Sequence, residues 1–563
     1  MHDSGFTRRS MLAGMLASSI LRGFGANAAS ASDTAAPTGA VDTTAGKVRG
    51  KQSGGVSTFY GIPYGQDSRG FRFRPAMPPK PWTGVRECVS LGHQAPQFEE
   101  ALRAANSGVD FNSEFVKQVI AAGKEGKPSG NESEDCLVLN VYTPSASAHR
   151  KRPVMVWLHG GGFAIGSAGE PQYDGSHLVR RGDVVVVGIN HRLNALGYLY
   201  LGAMHEDFAD SGNVGQLDIV LALQWVKDNI GKFGGDPNNV TIFGESGGGS
   251  KVAVLMAMPP ARGLFHKAIV QSGSGLKMTE KSAAVGYAER TLASLGIAPA
   301  DVHKLETLEH KTILAAALTA QTQGSAALSP VVDGRSLPSH PFTPTAPDVS
   351  RQVPLLIGTC KDEATLFLAG DPLFGKMNEE QARERATQRF GARGSAGIDV
   401  FKRLRPNDAP TYWLTSLATA NGAWNGSIIM AERKYAQHAA KVYMYRLDWE
   451  SPFYGGILKS PHGLDTSLAF DNPETKPLML GTGPQPAQLA AVMSQAWIDF
   501  ARHGDPSPKG TTWSSYDPDM RATIIFNTTT HIVNDPDREA RVLLAEPAHA
   551  SRDAYPTQIK SAG

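Results

Sequence analysis

The sequence predicts an α/β fold: a large, mostly parallel central sheet with helices on both faces and inserted loops. Three observations carry this. Continuous apolar runs such as Pro153–His159 (PVMVWLH) and Val184–Asn190 (VVVVGIN) read as strands buried on both faces. Segments of helical period alternate with them, as at Asp218–Asn229, where Leu221, Leu223, Trp225 and Val226 fall on or near one face. A composition of 41% hydrophobic and 19% charged residues supplies a large core without departing from an ordinary soluble balance.

Taken in order, the chain begins with Arg8-Arg9, an apolar run from Met11 to Leu21, and Ala26-Asn27-Ala28. A charged start, a short apolar stretch and a small-residue cleavage site describe a signal peptide over 1–28, and the arginine pair points to twin-arginine export to a bacterial periplasm or the exterior. The apolar run is too short for a bilayer, which needs about 20 residues. Residues 29–43, rich in Ala, Ser and Thr, are expected to be a flexible leader. A single catalytic domain is expected over 44–563, although length alone would allow three or four domains at roughly 150 residues each. No linker or internal repeat supports such a split.

From Thr44 to Pro63 short strands with Gly-rich turns are expected, then an irregular stretch carrying Pro75, Pro78, Pro79 and Pro81. Further strands are predicted at Leu137–Tyr142, Val240–Phe243, Lys267–Gln271, Val353–Thr359 and Lys441–Trp449, and helices at Lys251–Met256 and Met493–His503. Residues 98–131, 276–330 and 371–440 read as insertions on the sheet. The first, with its Gly, Lys and Ser content, is expected to be a mobile rim segment that shapes substrate entry.

The net charge of +2 is too small to imply nucleic acid or an acidic membrane as partner. Three cysteines, Cys88, Cys136 and Cys360, are too few for a disulfide scaffold, and no Cys/His cluster shows metal-ligand spacing.

The chemistry is carried by two glycine motifs. Gly244-Glu245-Ser246-Gly247-Gly248 fits G-x-S-x-G between a predicted strand and a predicted helix, the context of a nucleophile elbow. His159-Gly160-Gly161-Gly162-Phe163 directly follows a buried strand. Successive glycines let backbone N–H groups approach an oxyanion, each donor contributing about 2.7–4 kcal/mol to acyl transfer. Gly161, Gly162 and Gly247 are the candidate donors, and Ser246 is the candidate nucleophile.

A serine needs a base, and the base needs an orienting acid, in the order Ser, acid, His for this motif set. Histidines before Ser246 are discarded, and His266 follows too soon. His303, His310 and His340 precede or crowd the acid; His438, His503, His531 and His549 fall in a helix, a helix-closing turn, a strand pattern and the tail. His462 remains, in the loop Ser460-Pro461-His462-Gly463. Activity is expected to climb through about pH 6–7 as this imidazole becomes neutral. For the acid, either Asp362 or Glu363 could face the imidazole from the end of the strand before Cys360.

These residues resemble the type-B carboxylesterase and cholinesterase-like family, of α/β-hydrolase fold. The resemblance runs from about residue 44 to about 530. It includes Phe59-Tyr60-Gly61-Ile62-Pro63-Tyr64, Arg72-Phe73-Arg74-Pro75, Glu134-Asp135-Cys136-Leu137, Phe233-Gly234-Gly235-Asp236-Pro237, Val240–Gly248, Gln271-Ser272-Gly273, Val331-Val332-Asp333-Gly334 and His462-Gly463. It implies a carboxylic ester hydrolase needing no cofactor or metal, with Ser246 as nucleophile, Glu363 as acid and His462 as base. It also implies an ion pair of Glu134 with Arg72 and a supporting buried Ser272. Substrates across the family range from aryl and alkyl esters to the polycarboxylate esters of toxins such as fumonisins, a detoxifying role. The other reading is a non-catalytic binding or adhesion module of the same fold; lipase and amidase are rivals among hydrolases.

Three departures stand out. Gly247 replaces the commoner Ala, leaving its N–H in place. Lys251 is a candidate contact for an anionic acyl group, and Glu245, beside the nucleophile, for a cationic or developing substrate charge. Family members bridge the cysteine of Glu-Asp-Cys-Leu to a preceding loop cysteine, a position held here by Ala95, so the resemblance implies a substitute Cys88–Cys136 bridge with Cys360 free.

Overall fold

The computed structural model describes residues 35–97, 131–146, 150–323 and 328–545, with positions 114, 117, 118 and 121 between the first two stretches. The expected signal peptide, the leader up to residue 34 and nearly all of the 98–131 insertion lie outside the described residues.

Twelve strands form one sheet. In chain order they are β1 (Ala36–Pro37), β2 (Lys51–Ser53), β3 (Val56–Pro63), β4 (Val138–Thr143), β5 (Arg152–Leu158), β6 (Val185–Ile189), β7 (Gly235–Glu245), β8 (Lys267–Gln271), β9 (Leu355–Cys360), β10 (Val442–Leu447), β11 (Ala522–Phe526) and β12 (His531–Asn534). In space the order is β1-β2-β3-β4-β6-β5-β7-β8-β9-β10-β11-β12. Neighbours from β6 through β5 to β11 run parallel, while β1 to β4 and β12 add antiparallel edges.

Period-two alternation on each strand feeds two cores. On β5, Val154, Val156 and Leu158 join one apolar cluster with Ile219, Leu223 and Val226 of helix α1 (Val214–Asn229) and Val252 and Leu255 of helix α2 (Gly247–Ala257). Met155 and Trp157 face the opposite side, against Trp497, Ile498 and Phe500 of helix α3 (Pro484–His503). The Trp157 ring lies 4.9 Å from each of the Tyr173, Phe243 and Phe470 rings. Truncating such a buried tryptophan to alanine typically costs about 3–5 kcal/mol. The sheet is thus covered on both faces, as the apolar strand runs predicted.

The differences from the sequence reading are local. The chain enters the fold before residue 44: Ala36–Pro37 pairs with β2 and Val41–Asp42 with Lys47–Arg49. Val41 is buried in the core, which tethers the end of the expected leader. β7 starts at Gly235 rather than Val240, with a register shift that its polar Asp236–Asn239 stretch concealed. Ala522–Phe526, not among the expected strands, completes the parallel run. Residues 276–330 carry helices Lys281–Ser294 and His310–Thr322, and 371–440 carry a further helical layer.

The expected Cys88–Cys136 bridge is not formed; all three cysteines are free and buried. Tyr60 N donates to Cys88 O at 2.8 Å, whereas Tyr64 N donates to the carbonyl of Leu137, next to Cys136. The two cysteine segments are thus held at opposite ends of Tyr60–Tyr64. A disulfide needs Cα atoms within about 7 Å. The expected ion pair does form: Arg72 Nε and Nη2 donate to Glu134 at 2.7 and 2.5 Å, both side chains buried. Among the described residues no helix is long and apolar enough to cross a membrane.

Candidate active site

Parallel strands end their carboxyl termini on one edge of a sheet, and loops from that edge converge there. β5 leads into His159–Phe163, β7 into Ser246, β9 into Asp362-Glu363, and β10 into the loop that carries His462.

Ser246 stands between Glu245, the last residue of β7, and Gly247, the first of α2, with φ +57° and ψ −120°. A non-glycine residue in that region stores backbone strain of order 1–3 kcal/mol, which the surrounding packing must hold. The packing is tight enough to do so. A Cβ on Gly248 would lie 2.0 Å from Leu158 O, and one on Gly273 would lie 2.0 Å from Ser246 O. Ser246 N donates to Gln271 O on the neighbouring strand at 2.9 Å.

The glycine loop rests directly on this elbow. A Cβ on Gly247 would lie 2.2 Å from Gly162 O and 2.4 Å from its Cα. Glycine in place of the commoner alanine therefore lets the two candidate donor segments approach more closely. Gly161 and Gly162 have φ of +83° and +62°, and Ile165 N closes the loop by donating to Gly161 O at 3.1 Å.

The two carboxylates that the residues alone left open are separated by their partners. Glu363 Oε2 makes a very short hydrogen bond with His462 Nδ1. Its Oε1 accepts from Ser272 Oγ at 2.6 Å and from Cys360 N at 2.7 Å. Asp362 instead accepts from Arg405 Nη1 at 2.9 Å, and its backbone N donates to Ser460 O at 2.9 Å, pinning the loop before His462. Both carboxylates are fully buried, but only Glu363 faces the imidazole.

His462 Nε2 lies 3.2 Å from Glu245 Oε1. Burial alone would lower the His462 pKa, but the carboxylates of Glu245 and Glu363 outweigh it and raise it to about 9. The two carboxylates thus favour the charged imidazole, opposite to the neutral ring that the pH 6–7 expectation assumed. Burial pushes the Glu245 carboxyl up to about 8, with His462 opposing. Glu245 is thus a partner of the imidazole itself, with 6% of its surface exposed.

Lys251 points into the protein interior. It has no exposed surface, and its Nζ donates to His159 O at 2.9 Å with the Phe163 ring 5.8 Å away. Burial lowers its pKa to about 7. The expected contact with an anionic acyl group is replaced by a bond to the base of the glycine loop, because α2 runs directly beneath that loop.

The comparisons with known proteins agree with this geometry. The model of the Carboxylesterase family matches residues 37–542. The chain belongs to the carboxylesterase family. It is 35% identical over 511 residues to the para-nitrobenzyl esterase of Bacillus subtilis (strain 168), covering 89% of this chain and 97% of that one. It is 31% identical over 484 residues to the fumonisin B1 esterase of Sphingopyxis macrogoltabida, covering 82% of each. The solved structure of carboxylesterase EST55 from Geobacillus stearothermophilus superposes with a TM-score of 0.76 at 36% identity, covering 90% of this chain and 99% of that one.

Within this carboxylesterase, sequence reasoning missed two features of the site. Phe367 is 44% exposed, and its ring lies 4.9 Å from the His462 ring, an apolar wall on the solvent side of the imidazole. Only its place four residues after Glu363, on the short helix Ala364–Leu368, could have hinted at this. Asp465, on the helix just after His462, accepts from Tyr445 Oη at 2.6 Å and from Gln271 Nε2 at 3.0 Å, and Gln271 is held in turn by Trp497 Nε1. This buried network ties the His462 loop to β8, β10 and α3.

Proposed function

We propose that this carboxylesterase hydrolyses carboxylic esters by a two-step acyl-enzyme route through Ser246, His462 and Glu363. Ser246 Oγ attacks the ester carbonyl as His462 takes its proton. The tetrahedral oxyanion is met by the N–H groups of Gly161, Gly162 and Gly247. His462 then returns the proton to the leaving alcohol, and water repeats the sequence on the acyl-serine. Glu363 holds the imidazole by its Nδ1 and stabilises the charge that develops there. The observation that carries this reading is the Glu363–His462 bond at the sheet edge where Ser246 is held in its strained elbow.

Neutral aryl and alkyl esters are the favoured substrates. Phe367 offers an exposed apolar surface beside the base. A polycarboxylate ester of the fumonisin type would need cationic contacts, and Lys251, the residue that suggested one, is buried. Arg8-Arg9 and the apolar run after them support export by the twin-arginine route. The test is phosphonylation of the intact protein followed by peptide mapping. Label on Ser246 alone, with loss of nearly all turnover in Ser246→Ala, is the expected result; near-normal hydrolysis by that variant would sink the assignment.

A further inference from the structure

Two segments far apart in the chain bring imidazoles and a carboxylate together on the surface, in residues that the ester chemistry does not use. His205 and Asp207 lie at the start of the turn Glu206–Phe208; His303, 98 positions later, lies in the helical segment Pro299–Glu306. Asp207 Oδ2 is 3.7 Å from His205 Nδ1 and 3.8 Å from His303 Nε2. One ligand atom from each of the three lies within 4.8 Å of the others. Tetrahedral ligands on bonds of about 2.0–2.1 Å sit about 3.3–3.4 Å apart. The two measured edges are each a few tenths of an ångström longer than that, and all three side chains are about half exposed.

The surroundings orient the ligands. His303 Nδ1 is bonded to Glu306 Oε2 at 2.8 Å, and Glu306 Oε1 accepts from Arg74 Nη2 at 2.5 Å. A carboxylate on Nδ1 fixes the ring and leaves the Nε2 lone pair facing Asp207, the arrangement that supports metal-bound histidines. The segment carrying His303 is itself anchored, since Arg72, held by buried Glu134, donates to Leu305 O and Glu306 O. The rings of His205 and His303 are 4.5 Å apart, and Phe208 lies 4.9 Å from the His303 ring. Asp207 N reaches His205 Nδ1 at 3.2 Å, a bond that an ion at Nδ1 would replace.

We propose that His205, Asp207 and His303 bind one divalent transition-metal ion. Two imidazoles and one carboxylate suit Zn²⁺, Ni²⁺, Co²⁺ or Cu²⁺, whereas Mg²⁺ and Ca²⁺ take oxygen sets. Water completes the coordination on the exposed side. The ion links the 205–208 turn to the 299–306 segment, so it acts on the stability of this layer and leaves ester turnover unchanged.

The test uses tag-free, chelator-stripped full-length protein titrated with ZnCl₂ by calorimetry at pH 8, with Tm read in parallel. The expected result is one Zn²⁺ per chain with a rise in Tm, and binding at least tenfold weaker in His205→Ala and in His303→Ala. Glu306→Gln, which keeps all three ligands, should weaken binding about 10–100-fold. Circular dichroism of each variant reports that it has folded. Wild-type binding no tighter than that of the double histidine variant overturns the proposal. So does binding that His462→Ala removes, since the ion would then sit at the catalytic base.

Discussion

The ammonium of Lys251 donates to the carbonyl of His159 at 2.9 Å inside a fully buried contact, joining the nucleophile's helix to the base of the glycine loop. Lys251 lies five residues beyond Ser246, so this bond links the helix that starts at the elbow to the residue just before Gly160-Gly161-Gly162.

Lys251→Met is accordingly expected to act through positioning. Loss of the bond should lower kcat about 5–30-fold with KM little changed, a fraction of the effect of deleting an oxyanion donor outright. Lys251→Arg, if it preserves the contact, should recover part of kcat. Steady-state kinetics with a small aryl ester read this out; a lowered Tm with unchanged kcat would make the lysine purely structural. A lowered pKa does not break the contact, because a neutral amine still donates.

The pH profile should follow the carboxylates around His462. The imidazole must be neutral to accept the serine proton, and both Glu245 and Glu363 favour its charged form. The rising limb of kcat/KM is therefore expected well above the ordinary histidine value of about 6.5. Glu245→Gln removes one negative neighbour, so the limb should move to lower pH. A limb that stays put or moves up in that variant would contradict the assignment of Glu245 as the partner of Nε2.

The two adjacent carboxylates should separate cleanly by phenotype. Glu363→Gln takes the acceptor from His462 Nδ1 and is expected to cut kcat by roughly 10³–10⁴, as loss of the orienting acid does in comparable triads. Asp362→Asn leaves Arg405 facing a neutral group and should lower stability by about 1–3 kcal/mol with kcat within a few fold. Kinetics and urea unfolding of the two variants decide it; the reverse ordering of kcat would move the acid to Asp362.

Thiol titration under denaturing, non-reducing conditions should count three free thiols per chain. In the folded protein all three should react slowly, since all are buried and burial raises the Cys88 thiol to about 11. A count of one would restore the Cys88–Cys136 bridge.

The candidate site was legible where its chemistry sits in contiguous residues. Glycines at 244, 247 and 248 are demanded by backbone that approaches within 2–3 Å, and His159–Phe163 by a loop with two positive φ angles, so both motifs are visible as strings. His462 was reachable by elimination because chain order restricts the base. Glu363 was not reachable from the residues themselves: Asp362 and Glu363 are neighbours of like chemistry, and the turn after β9 decides which one faces the imidazole. Lys251 misled for the same reason, since a lysine five residues past the nucleophile reads as a substrate contact until the helix shows that it points beneath the loop.

By itself the sequence determined the sheet with its two covered faces, the tight turn at Ser246 and the glycine loop, because apolar periodicity and glycine requirements are properties of local backbone. The tertiary structure alone decided the buried role of Lys251, the separation of Cys88 from Cys136, and the meeting of His205 and Asp207 with His303, and it bonded His462 to Glu363, which the residues without the family resemblance left open against Asp362. Each of these depends on where residues about fifty to a hundred positions apart arrive in space. That is set by strand register and loop packing, on which spacing along the chain carries no information.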